Sequence, residues 1–346
     1  MKEYNGKLIY MGIDVHKNSY SVSVICDNEL IKKDKLIADP AILLKYCKQF
    51  KGAKIKSAYE AGFCGFHLHR FLLANHIDNI VVNPASIEIN ARDVVKTDKR
   101  DSLKIASHLS QGRLSCIYIP SKNREDKRHL TRLREQIIKQ KHRTASQIKS
   151  LLHLDGLIMP CTSPRISDKW LKEMLGKATE KHQKIRLHML SKTWCYFDLQ
   201  LKHINNEISK AVKEDLWLES IYCSCPGIGP TTARKLINEL DDMSQFSNEG
   251  KLYSYAGLTP REYSSGEHIR HGHISRQGKP IIRRLLVEAA WVAIKKDPSL
   301  AAIFNKIAQR GRKKIAIIAV ARILLGRIRT CIKEKRFYKK TINEKG

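Results

Sequence analysis

KLIYMGIDV, residues 7–15, is a short apolar run that ends on a carboxylate, Asp14, and it reads as a buried strand. Working outward, residues 19–25 alternate polar and apolar as a second strand does, and residues 29–37 supply a third, completing a meander. Residues 41–50 have helical spacing. Residues 55–59 form another strand pattern, closed by Glu60-Ala61-Gly62. A helix over 63–75, a strand over 77–82 stopped by Asn83-Pro84, and helical spacing over 102–109 complete the N-terminal third. The order β-β-β-α-β-α-β-α predicts a mixed sheet with helices on its faces.

The rest of the chain changes texture. From 122 to 154 it is helix-forming and dense in Lys and Arg, and Gly156 and Pro160 interrupt it. A second long helix is expected through 170–213. Its apolar positions Leu187, Leu190, Trp194, Phe197, Leu201, Ile204, Ile208 and Ala211 step by threes and fours, the seam of a coiled coil. Two uses of that seam stay open: an antiparallel hairpin or bundle within one chain, or pairing between chains. After Trp217 come short helices and Gly-rich turns, with helices expected over 231–239, 281–295 and 315–329. Residues 257–278 are rich in Ser, His, Arg and Gly and show little apolar periodicity. Three regions follow: an α/β domain at 1–120, a long-helix coiled-coil region at 121–215, and a mostly α-helical C-terminal domain at 216–346.

The 346 residues carry 64 Lys and Arg against 34 Asp and Glu, a net charge of +30. That excess argues against an ordinary enzyme of small neutral metabolites and points to a polyphosphate partner, because each neutralised phosphate releases a bound counterion. Nine cysteines, an odd number with no CxxC pair, fit reduced thiols in a cytoplasm better than a disulfide framework or a zinc knuckle. The longest late apolar run, 315–325, contains Arg322 and is too short for a membrane span, so no membrane association is expected.

Four carboxylates stand out by position. Asp14 and Glu60 end strands, and Asp98 and Asp101 are three apart at the start of a helix, which puts both on one helical face. In a ribonuclease H-like sheet the first strand, a later strand and the last helix converge at one edge. Hard oxygen ligands there suit Mg²⁺, which stabilises attacking and leaving oxygens in phosphoryl transfer. Each acid alone is more often a turn residue or a solvated helix start; together, in a basic chain, they form a candidate metal site.

GIDVHK at 12–17, YEAG ending at Gly62 and TDKRD at 97–101 resemble the N-terminal DEDD domain of the Piv/MooV-like, insertion-sequence-110 family of transposases. Downstream, PGIGPTTA, YAGLTP, SSG and GHISRQGKPIIRRLL resemble that family's C-terminal transposase domain, in the family's order and over nearly the whole chain. The resemblance implies a RuvC-like nuclease fold with Asp14, Glu60, Asp98 and Asp101 as metal ligands, and a serine nucleophile in the C-terminal domain. Ser265, before Gly266, matches the family's Ser-Gly motif; the adjacent Ser264 is an alternative and Ser275 a weaker one. It further implies donor and target DNA as substrates and a structured guide RNA that bridges them.

Around that serine, Arg261, Arg270, His268, His271 and His273 read as a basic loop able to steady phosphate charge. The turn 226–230 resembles a helix-hairpin-helix, in which the backbone N–H groups near Gly227 and Gly229 receive a DNA phosphate. Arg276, Lys279, Arg283 and Arg284 form a basic cluster opening a helix and are expected to grip backbone. A synapse holds at least two duplexes, so a homo-oligomer, dimer or tetramer, is expected. The competing expectations are a junction-resolving nuclease that uses only the carboxylates, and a binding protein without catalysis.

Overall fold

In the computed structural model β1 (Leu8–Val15) is the central strand of a five-stranded sheet whose order is β3 (Glu29–Ile37), β2 (Ser19–Cys26), β1, β4 (Lys54–Glu60), β5 (Asp78–Val82). The structure describes residues 4–84, 98–159, 164–265, 268–309, 311 and 313–340. The chain divides into two compact units, residues 1–120 and 121–346.

In the first unit β1 runs antiparallel to β2 and parallel to β4, so the sheet is mixed as its element order requires. Its two faces differ. Ile9, Met11, Ile13, Val22, Val24, Tyr59 and Val81 face one side and form a core with Leu43 and Tyr46 of α1 (Pro40–Cys47) and Leu68 and Leu72 of α2 (His67–Ala74). The alternate residues, Gly12, Ser21, Ser23 and Ala58, are small. Their smallness lets α3 (Asp98–Ser110) lie close on that face. A Cβ on Gly12 would sit 2.1 Å from the Ser102 carbonyl oxygen and 2.4 Å from the Ala106 nitrogen. The Ser23 and Ser102 hydroxyls meet at 2.9 Å, and Ile105 packs with Ala58 and Val82. The far end of α3, Leu109 and Ser110, lines one hollow with Tyr10 and Lys56 near the strand starts. The helix therefore runs against β1, and its first turn lies toward the strand ends.

The second unit begins with α4 (Lys122–Leu154), continues through α5 (Asp168–Lys177) and returns along α6 (Lys181–Ala211). α4 and α6 pack antiparallel, with the Lys141–Asp198, Arg134–Asn205 and Arg186–Asp155 pairs along their length. The apolar seam of α6 turns to α4: Leu187, Trp194, Ile204 and Ile208 are buried against Ile137, Ile148 and Leu152. What reads as one helix through 170–213 is two, because the segment between Lys177 and Lys181 breaks it before a capping box at Glu180 and Gln183.

A helical core of α7 (Leu216–Ser224), α8 (Pro230–Leu240), α9 (Glu249–Ala256), α10 (Pro280–Lys296), α11 (Pro298–Ala308) and α12 (Lys313–Lys333) completes this unit. The non-periodic stretch after Gly257 contains β6 (Pro260–Ser265) and β7 (His268–Ile274), an antiparallel pair. No described helix is long and apolar enough to cross a membrane.

Candidate active site

Parallel pairing sets Gly12 opposite Ala58 and Ile13 opposite Tyr59, so Asp14 and Glu60 are the next residues on neighbouring strands. Both follow small residues of the α3 face by two positions and share that face. Ser102 lies over Gly12. Asp98, four residues earlier on α3, is about 6 Å further along the helix, close to the roughly 6.6 Å that separates Gly12 from Asp14 along the strand. The backbone thus brings two strand ends and the first turn of α3 to one edge of the sheet.

Asp14 is 18% exposed, and its Oδ2 is 2.9 Å from His16 Nε2. Asp101 is half-buried and Glu60 exposed, while the Asp98 side chain lies outside the described residues. Among the described residues no group of three or more His, Cys, Asp or Glu side chains is gathered closely enough to hold a metal ion. The donor chemistry nonetheless suits a divalent cation, since carboxylate oxygens are hard ligands. The edge also holds a polar atom with unmet demand: Ser21 Oγ is buried opposite Asp14 and has no hydrogen-bond partner among the described residues.

Sequence reasoning missed His16 and Ser21. The signal for Ser21 was there in SYSVSVIC, where Ser at 19, 21 and 23 gives a central strand one polar face.

In the second unit Ser265 is the last residue of β6 and pairs in register with His268; Ser264 pairs with Ile269, and Arg270 with Tyr263. The side chains of residues 262–271, including Ser264, Ser265 and Arg270, lie outside the described set, as do Gly266 and Glu267 entirely. Ser275 sits at the base of the pair, its N–H donating to the Thr259 carbonyl at 2.9 Å. Arg261, His273 and Arg276 are exposed, and Arg276 takes a left-handed φ of 57°.

The remaining basic candidates divide. The Lys279 ammonium stands 5.9 Å from the Tyr255 ring centroid. Its pKa is lowered, first by desolvation and then by Arg132 and Arg128, against the pull of Glu239. Arg283 Nη1 is buried with no partner among the described residues, against the backbone at Gly257, where a Cβ would come within 2.4 Å of it. Arg284 is already engaged, donating to Glu135 at 2.7 Å and to Glu288 at 3.3 Å. Arg284 thus acts first as a tie between α10 and α4.

The turn 226–230 joins α7 to α8. Gly227 has φ 83°, and a Cβ there would lie 2.2 Å from the Ala289 carbonyl oxygen, so this glycine is dictated by packing on α10. Gly229 is exposed and caps α8 with open space around it; Pro230 follows at the first helical position and no acid occupies the first turn. An uncovered helix start of this kind suits an anion.

Two further features follow from the high Lys and Arg content. Many basic residues of α4 are spent on structure: Arg124 bonds Asp215 at 2.9 Å and Asp241 at 2.8 Å, and Arg132 bonds Glu239 at 2.8 Å. Further along, α4, α5 and α6 enclose a groove of about 860 Å³ floored by Trp194, Ile138 and Leu201 and edged by His142, Lys149, Arg165 and Lys169.

Two family models match the chain. One, a DEDD transposase model, covers residues 11–156, and the other, described as the transposase IS116/IS110/IS902 family, covers residues 219–305. The pilin gene-inverting protein of Moraxella bovis is 25% identical, over 97% of this chain and 99% of its own length. The transposase for insertion sequence element IS1533 of Leptospira borgpetersenii is 25% identical, over 82% and 84%. That for IS1328 of Yersinia enterocolitica is 24% identical, over 82% and 83%. The matches take in both the sheet with its acidic edge and the region of Gly227 and Ser265, and the chain belongs to the IS110 family of transposases, enzymes that recombine DNA.

Proposed function

We propose that this transposase breaks and rejoins DNA through a covalent serine intermediate, with a Mg²⁺-dependent acidic site in a ribonuclease H-like, RuvC-like first domain. Asp14, Glu60, Asp98 and Asp101 would hold the ion. The observation that carries this reading is the shared edge formed by the ends of β1 and β4 and the first turn of α3. When bound, a divalent cation supplies charge stabilisation to a phosphodiester undergoing displacement.

In the covalent step Ser265 Oγ attacks the phosphorus and loses its proton. The bond from phosphorus to the adjoining nucleotide oxygen breaks, and that oxygen leaves as a hydroxyl. The strand is held as a phosphoserine ester until a second strand's hydroxyl attacks and frees the serine. Each step exchanges one phosphoester bond for another, so no high-energy cofactor is consumed. Arg261, Arg270, Arg276, Lys279 and Arg283 surround this segment in sequence and would hold phosphate oxygens by charge-assisted hydrogen bonds. The open start of α8 at Gly229 offers backbone N–H groups to a further phosphate. We further propose a homo-oligomer, dimer or tetramer, acting with a structured guide RNA on donor and target duplexes. The three working parts would be residues 1–120, 121–215 and 216–346, in a cytoplasmic, nucleoid-associated protein.

The test is a denaturing gel of the protein incubated with labelled element-end DNA, Mg²⁺ and RNA transcribed from the element's flanks. Wild-type protein should give a protein–DNA adduct that Ser265→Ala abolishes and Ser264→Ala and Ser275→Ala retain. Cleavage with no adduct in any variant would replace this reading by a hydrolytic, junction-resolving one.

A further inference from the structure

One register row crosses the sheet at the level of Asp14: Asp14 on β1 lies opposite Ser21 on β2, which lies opposite Lys35 on β3. One step back along the same face, Ser23 lies opposite Gly12, and its hydroxyl meets Ser102 of α3 at 2.9 Å. Residues two apart on a strand share a face, so Ser21 also points to the α3 side. Directly opposed residues of an antiparallel pair hold their Cβ atoms about 4.5–5.5 Å apart, which puts the Ser21 hydroxyl within reach of the Asp14 carboxylate. Yet Ser21 is only 2% exposed and its Oγ has no hydrogen-bond partner among the described residues.

A buried hydroxyl without a partner destabilises the fold, and a methyl group would cost less at that position. The strand itself uses valine on its other face, at 22 and 24. Ser23, two residues on, has a structural partner; Ser21 has none among the described residues. The hydroxyl therefore has no use in this arrangement of the described residues, and the acceptor directly across the strand pair is the Asp14 carboxylate.

We infer that Ser21 is a positioning residue for the acidic edge: its O–H donates to the Asp14 carboxylate when that carboxylate turns to a divalent cation. Asp14 would then be oriented from two sides, by Ser21 and by His16. Such outer groups fix the orientation of a ligand and raise its affinity for the ion. The inference rests on the divalent-cation reading proposed above.

The experiment is titration calorimetry of the full chain with Mg²⁺ and with Mn²⁺, joined to thermal melts without metal, for wild type, Ser21→Ala, Ser21→Thr and Asp14→Ala. Ser21→Ala should melt at or above the wild-type temperature without metal, because it removes an unsatisfied group. Its metal affinity should fall about 10-fold, the lower end of the loss typical of outer-shell partners, and Ser21→Thr should recover most of it. Two results overturn the inference while leaving the cation reading intact: Ser21→Ala binding as wild type does, with Asp14→Ala impaired, or Ser21→Ala melting lower without metal, the sign of a purely structural hydroxyl. Wild-type protein with no saturable, Asp14-dependent binding would overturn both.

Discussion

Gly12→Ala tests the packing that brings α3 to the strand ends. An alanine methyl would be built 2.1 Å from the Ser102 carbonyl oxygen, 2.4 Å from the Ala106 nitrogen and 3.0 Å from the Ala106 Cα. All three neighbours are backbone, so no side chain can rotate away; the helix must retreat by about 1 Å to restore ordinary contact. Overpacking of this kind costs about 1–3 kcal/mol, and the backbone contacts put Gly12→Ala at the upper end. For a unit of this size that is a fall of about 10 °C in its melting transition. On the proposed role of the acidic edge, the same retreat would carry Asp98 and Asp101 from Asp14 and Glu60, and a displacement of about 1 Å at a reacting centre costs about 100-fold in rate. Thermal melts, hydrogen exchange of the β1 and α3 amides, and a strand-exchange assay read the three consequences. A Gly12→Ala protein that melts with wild type and keeps its β1 and α3 amides protected would refute the close-approach argument.

Glu239 is 1% exposed and accepts from the partly exposed Arg132, with the buried Arg128 at 3.6 Å, so Glu239→Ala takes the carboxylate from one buried cation and should cost about 1–3 kcal/mol in urea unfolding. Burial alone would raise the pKa of Asp215, but the hydrogen bonds and charges of Arg124 and Lys127 outweigh it and hold the pKa low; Lys235 and Arg284 do the same for Glu135. Because the folded-state pKa is the depressed one, this stabilisation is full above the ordinary carboxylate range and lost as pH falls through the folded values. Melting temperature should therefore drop steeply on acidification below about pH 4, and less steeply in Arg124→Gln, which starts lower. If the α4–α6 groove takes a nucleic-acid strand, Arg165→Gln with Lys169→Gln should reduce the slope of log affinity against log salt by about 1.4 for a single strand. Lys313→Gln with Lys314→Gln, an exposed pair elsewhere, should change it less.

Local pattern alone yields the strand order along the chain, the strand-terminal places of Asp14 and Glu60, and the apolar seam of α6, because each depends on neighbours a few residues apart. The family motifs are likewise contiguous and legible. What the sequence leaves open depends on partners far along the chain. Which strands pair is decided by the tertiary structure, and only that pairing makes Gly12 a contact for α3 and Ser21 the neighbour of Asp14. The β6–β7 pair escapes pattern reading because its polar and glycine-rich residues give no alternation; its register comes from cross-strand hydrogen bonds. Charge count says that the chain is basic, but only folding separates the cations consumed by Asp215, Glu239 and Glu135 from those left facing solvent. Ion pairs between residues more than 80 positions apart obey geometry, and geometry is set by the packing of helices rather than by spacing in sequence.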